Sequence, residues 1–178
     1  MIKLFESFNE YSQVKDWLDR KGIENYTIND DLIVDVDGDV DISFYDLTEI
    51  PIQFGKVDGN FLCCGNRLTT LKGCPKYVGG GFDAFNNKLT SLEYCPEITE
   101  WRFDVHNNNL TTLRYMPKQV NGNISIYDNP LPTEILSIHI DLKSLIKHQD
   151  DYGIWDGDGS FNKGRWDILL KEYDAGII

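Results

Sequence analysis

Four cysteines, three histidines and two aspartate-rich runs are the residues of this 178-residue chain whose types could do chemistry. A zinc site needs paired ligands at short spacing. Cys63, Cys64, Cys74 and Cys95 contain no C-x-x-C pair, and His106, His139 and His148 form no metal motif with them. A nucleophilic cysteine needs a base within hydrogen-bond reach. Strand alternation, argued below, turns Cys63 inward and Cys64 outward. It sets His106 two coils from Cys64, about 10 Å by strand spacing and too far for a hydrogen bond. The thiols read as small hydrophobes.

The aspartates sit in "DVDGDVD", residues 35–41, and "DGDGSFN", residues 156–162. On a single strand Asp35, Asp37, Asp39 and Asp41 would all face one side as a dense row of negative charge. Calcium favours such carboxylates, but its common loop needs glycine at the sixth position, where Val40 and Phe161 stand. Both runs read as solvated acidic surface or polar contacts to a partner. Nothing matches a P-loop, a dinucleotide fingerprint, a nucleophile elbow or a zincin helix. The expectation is a protein without a cofactor that is not an enzyme.

Composition sets the remaining bounds. With 41% hydrophobic and 26% charged residues, the chain suits one soluble domain with a real core. Net charge is −12, unevenly placed. Residues 1–60 carry 14 acids and 5 bases, residues 61–132 carry 6 and 7, and residues 133–178 carry 9 and 5. The middle is nearly neutral and the ends are acidic, which argues against direct nucleic-acid binding. "MIKLFESFNE" has no continuous apolar stretch or cleavage site, so no export signal is read, and no apolar run suits a membrane span. A cytoplasmic monomer is expected.

The elements that position these residues come from a repeat. "NNKLTSLEYCP", residues 86–96, is one turn of it. Leu47, Leu68, Leu89, Leu110 and Leu131 are spaced by 21, as are Asn66, Asn87, Asn108 and Asn129. Pro75, Pro96 and Pro117 keep the interval, and so do Val40, Phe61, Phe82, Phe103 and Ile124. Ile42, Cys63, Ala84, Val105 and Ile126 form a further column. Fixed-period self-similarity marks a solenoid. The units are 36–56, 57–77, 78–98, 99–119 and 120–140, the last decaying after Leu131.

In unit two, Phe61 and Cys63 alternate with Asn60, Leu62 and Cys64, which is strand periodicity. The chain then turns at Gly65-Asn66, and Leu68 and Leu71 return to the same core. Single coils cannot bury their apolar side, but stacked coils can. Strands pairing in parallel about 4.8 Å apart make an arc about 20 Å long. The asparagine column is expected to satisfy buried backbone groups between turns. Tyr45 replaces asparagine in unit one, as suits a terminal coil.

Bare solenoid ends need caps. Leu4, Phe5, Phe8, Tyr11, Val14, Trp17 and Leu18 sit at helical spacing, with Ser12 as a candidate N-cap and Gly22 as a stop. Residues 25–36 read as extended around an "NDD" turn. At the far end, Pro132-Thr133 opens a helix followed by Ile135, Leu136, Ile138, Leu142, Leu145 and Ile146. Trp166, Leu169, Leu170 and Tyr173 form one face of a last helix. The organisation is 1–35 as N-terminal cap, 36–132 as solenoid and 133–178 as C-terminal cap, in one structural domain.

The centre of the unit, F-x-C-x-x-N-x-L-x-x-L, resembles the leucine-rich repeat pattern L-x-L-x-x-N-x-L over roughly residues 36–131. The short unit with a late proline is similar to repeats encoded by large tailed bacteriophages and some bacteria. The flanks "FNEYSQVKDWL" and "YGIWDGDGSFNKGRWDILLK" look like those found around such repeats. The fold expected is therefore α/β: a short leucine-rich repeat solenoid of about five 21-residue coils, with a parallel sheet on one face and helices at both ends. The resemblance implies a soluble, non-enzymatic binding protein made during infection.

The outward side of the stacked strands is the candidate site. It holds three columns: Asp39, Asn60, Gly81, Arg102, Asn123; Asp41, Leu62, Asp83, Asp104, Ser125; and Ser43, Cys64, Phe85, His106, Tyr127. Candidate partner-binding residues are Asp39, Asp41, Leu62, Cys64, Asp83, Phe85, Arg102, Asp104, His106, Ser125 and Tyr127. Aromatics with a charged border suit protein recognition. The primary expectation is a module that binds a host protein in the cytoplasm of the infected cell, in an anti-defence or host-regulating role. An acidic mimic of nucleic acid is one alternative. The other is a protein packaged in the virion interior, with residues 1–11 as its tag.

Overall fold

The computed structural model describes residues 10–137 and 141–178. Leu4, Phe5, Phe8, Ile138 and His139 lie outside the described residues. The chain opens with helix α1 (Tyr11–Arg20), then the strands β1 (Tyr26–Ile28) and β2 (Ile33–Val36). Coils follow, each contributing two short strands. The first set is β3 (Val40–Asp41), β5 (Phe61–Leu62), β7 (Phe82–Asp83), β9 (Phe103–Asp104) and β11 (Ile124–Ser125). Between them come β4 (Gln53–Val57), β6 (Tyr77–Val78), β8 (Ile98–Thr99) and β10 (Gln119–Val120). Three helices close the chain: α2 (Thr133–Leu136), α3 (Leu142–Tyr152) and α4 (Lys163–Asp174).

The first set pairs in parallel as β3-β5-β7-β9-β11, with Val40, Phe61, Phe82, Phe103 and Ile124 side by side. This is the 21-residue register of the sequence. A second sheet, β1-β2-β4-β6-β8-β10, runs along the adjoining side of the coils and is parallel from β2 onward. The spacing does not announce it, because its coil strands β6, β8 and β10 follow Pro75, Pro96 and Pro117 and turn a single residue each, Val78, Thr99 and Val120, into the core.

The inward columns form the core. Phe61 stacks on Phe82 at 5.9 Å and Phe82 on Phe103 at 5.4 Å, with ring planes within 13°. Phe54 meets Phe61 edge-on, and Trp17 of α1 meets Phe54, so the N-terminal helix extends the aromatic spine. One continuous apolar cluster runs from Val14 to Leu169 and includes residues of both caps.

Backbone groups facing the coil interior are satisfied by the asparagines. Asn87 Nδ2 donates to Cys63 O in the previous coil and to Ala84 O and Phe85 O in its own, while Oδ1 accepts from Leu68 N. Asn108 and Asn129 repeat this one coil at a time. Asn66 does the same for coil one and also accepts from Tyr45 N. The turn before each asparagine, and before Tyr45 in coil one, is left-handed: Phe44, Gly65, Asn86, Asn107 and Asp128. Four of these five are Gly, Asn or Asp, the types that adopt it most readily.

At the N-terminus Glu10, not Ser12, is the N-cap of α1, and no side chain caps it; Ser12 lies inside the first turn. Gly22 ends the helix in a left-handed conformation, with Ile23 N donating to Leu18 O. Asn29 Oδ1 then accepts from Asp31 N and Ile33 N, closing the β1–β2 hairpin at the expected turn. Lys21 Nζ lies 3.3 Å from the centre of the Tyr45 ring, where the repeat has no asparagine. At the other end α3 packs on β10, Asp141 caps α3, and Arg114 of coil four donates to Asp156 O and Gly157 O.

Replacing Asn87 by Ala removes four hydrogen bonds and strands buried groups in two coils. Each stranded group costs about 1–3 kcal/mol. Asn87→Ala is expected to lower unfolding free energy by about 4 kcal/mol in chemical denaturation. Asn109→Ala, on an exposed side chain, should change it by about 0.5 kcal/mol or less.

Candidate functional site

The outer face of the five-stranded sheet carries the three predicted columns in register. The third is a continuous stack. Cys64 Sγ donates to Ser43 Oγ at 3.3 Å. Phe85 then stacks on His106 at 4.7 Å and His106 on Tyr127 at 4.3 Å, with ring planes within 17°. Parallel strands 4.8 Å apart leave one ring thickness plus van der Waals contact, so same-column aromatics must stack. Asp104 fixes the central ring: its Oδ1 is 2.6 Å from His106 Nδ1 and also accepts from His106 N. The stack ends on Tyr127, which is 53% exposed.

Two of the candidate binding residues are buried. Cys64 is only 7% exposed, held in its column between Ser43 and the larger Phe85. Alternation sets the direction of a side chain, but the size of its neighbours decides whether it reaches water. Burial pushes the Cys64 thiol up, leaving it an unreactive apolar group. Asp83 is 2% exposed because Arg102, one coil on, folds over it. Arg102 Nε donates to Asp83 Oδ1 at 2.7 Å, and Nη2 donates to Oδ2. Gly81 permits this crossing, since a Cβ there would lie 2.9 Å from Arg102 Cγ. Asp83 is therefore closed to a partner, whereas Leu62, Asp104, His106 and Ser125 are half-buried and Arg102 is exposed.

The aspartate run is not a single row. The chain corners at Asp37-Gly38, so Asp35 lies in β2 of one sheet and Asp41 in β3 of the other. Asp35 Oδ1 accepts from Lys56 N and Asp39 Oδ1 from Asn60 N, and Asp41 Oδ1 accepts from Ser43 N. These carboxylates link coils and turns, while Asp39 and Asp41 keep exposed surface. Residues 156–162 form a tight turn, with Trp155 bridged to Phe161 and Asp158 accepting from Ser160. Among the described residues, no group of three or more His, Cys, Asp or Glu is placed to hold a metal ion.

The sequence reading missed Trp101. Its column reads Gly38, Gly59, Gly80, Trp101, Gly122, at the corner between the sheets. The indole is 70% exposed. It borders an open cavity of about 610 Å³ lined also by Arg102, Leu62, Asn60 and Asn123. The signal was available as the one break in a glycine column, but it lies one residue outside the strand columns. Around Trp101 the polar groups are largely paired: Asn60 Oδ1 accepts from Gly81 N, and Asn121 donates to Glu100. Among the described residues, no helix is long and apolar enough to cross a membrane.

Comparison with known proteins finds no matching family model, no matching curated protein and no matching solved structure.

Arg102→Ala leaves the Asp83 carboxylate buried without a partner. The guanidinium is half exposed, so the expected loss is about 2 kcal/mol rather than the 3–5 of a fully buried pair. Adding Asp83→Leu, which continues the column from Leu62, should recover most of that loss in denaturant titration.

Proposed function

We propose that this chain is a non-enzymatic, protein-binding module of the leucine-rich repeat type, phage-encoded, that grips a host protein with the outer face of its five-stranded sheet. The observation that carries the reading is the aromatic column Phe85, His106 and Tyr127 on that face, with Trp101 exposed at the corner where coil four enters it. Exposed Trp and Tyr surrounded by polar groups already paired within the protein match the make-up of interface hot spots. Such groups lose little on desolvation, because their hydrogen bonds are internal. The stack is rigid before binding, so little side-chain entropy is lost on contact.

The acidic runs support a lesser role. Their carboxylates are divided between two sheets and several bind backbone amides, which suits a border better than a polyanion mimic. The partner surface that complements this face is apolar or aromatic at its centre and basic toward the coil-one end, where Asp39 and Asp41 are exposed.

The test is affinity capture from infected bacterial cells at low and high salt, read by mass spectrometry. Expected is one host protein retained in high salt. It should be lost in a Phe85→Ala/His106→Ala/Tyr127→Ala variant and weakened at least tenfold by Trp101→Ala. Capture of capsid proteins alone, or binding that survives both variants, would overturn the reading.

A further inference from the structure

A second site lies on another side of the coils, beside the six-stranded sheet. A groove of about 860 Å³ runs along the solenoid axis there, from coil one to coil four. Three strand spacings make it about 14 Å long. Its floor is Cys74, Cys95 and Met116 in one column, next to Phe54. Cys74 and Met116 are buried and Cys95 partly so. Burial pushes both thiols well above their ordinary range, so they serve as apolar surface.

One lip is made by Tyr94 and Tyr115, 54% and 52% exposed. Their backbones are left-handed, with φ of 71° and 65°. The same position in coil two is Gly73, with φ of 96°. The coil needs a positive φ here, and glycine meets that need freely. A bulky side chain in this region is strained, and strain of this kind gathers at functional sites. The Tyr115 ring meets the Arg114 guanidinium at 5.1 Å, but the Tyr94 ring has no ring or hydrogen-bond partner among the described residues, and both positions give the groove a phenol. Among the described residues neither hydroxyl has a hydrogen-bond partner.

The opposite lip is the column Lys76, Glu97, Lys118. Lys118 closes on Glu97 at 2.6 Å. Lys76 makes no side-chain hydrogen bond or ion pair with a described residue. At the coil-four end Arg114 is held by the carbonyls of Asp156 and Gly157. The groove therefore offers an apolar floor, two phenol donors and the Lys76 ammonium, which feels the Glu97 charge without bonding to it; of the lining carboxylates, Glu97 is tied to Lys118 and Asp150 belongs to α3. Those features fit a linear apolar body with a single anionic head.

We infer that this groove binds a free amphipathic carboxylate of the fatty-acid class, with its chain on the Cys74–Cys95–Met116 floor between the tyrosines and its head at Lys76. This site is separate from the strand face and does not depend on the protein-binding reading.

The experiment is calorimetric titration of the whole chain with dodecanoate below its micelle concentration, beside dodecyltrimethylammonium, which has the same chain and opposite charge. Expected is saturable binding of one dodecanoate per chain, with the cation at least tenfold weaker and Lys76→Gln weakening dodecanoate at least tenfold. Tyr94→Gly/Tyr115→Gly should abolish binding while leaving Tm at or above the parent value, since glycine relieves the backbone. Trp101→Ala and the Phe85/His106/Tyr127 alanine variant should bind dodecanoate as the parent does, which separates this site from the strand face. No saturable binding, equal affinity for anion and cation, or undiminished binding by the tyrosine variant would overturn the proposal.

Discussion

The structure depends on one hydrogen-bonded device, the asparagine that joins each coil to the one before it. A coil of 21 residues has too few backbone partners of its own; its turns leave amides and carbonyls pointing inward. A single carboxamide supplies one acceptor and two donors, and each of Asn66, Asn87, Asn108 and Asn129 spends both kinds across the gap between coils. That fixes the vertical register to the residue. Everything stacked above or below follows from it, including the phenylalanine spine in the core and the aromatic column outside.

The same constraint explains why one architecture carries two unlike surfaces. Because every coil repeats the one beneath, a position is a column, and a column is either uniform or broken. Uniform columns build the solenoid. Broken ones give it chemical character: Trp101 among glycines, and Tyr94 and Tyr115 above Gly73. Both breaks put large rings into solvent, although Tyr115 also covers the Arg114 guanidinium.

Much of this was legible in the sequence. The register, the inward Phe61 and Cys63 columns, the role of the asparagines and the adjacency of Phe85, His106 and Tyr127 follow from spacing alone, since parallel strands must place equal positions side by side. The second sheet was not legible, because its coil strands bury only one residue each, Val78, Thr99 and Val120, and have no inward partner two residues on to set a period. The burial of Cys64 and Asp83 was missed for another reason. It depends on what sits one coil away, Phe85 in one case and Arg102 reaching across Gly81 in the other. The split of the Asp35–Asp41 run was hidden by its alternation, which looks the same whether the strand continues or corners at Gly38. The groove lies where neither strand nor helix periodicity applies, and only backbone geometry marks its tyrosines.

The asparagine ladder also sets how such a protein can change over generations. A gene segment encoding one full coil can be duplicated or lost and every column realigns, because the new neighbour has the same groups at the same heights. A segment of any other length shifts all later asparagines away from the carbonyls they bind. Length is thus inherited in whole coils, while single-codon changes in the outward columns stay free to vary. The length of the outer face and its chemical character are therefore on separate hereditary dials, one turned by recombination and the other by point mutation.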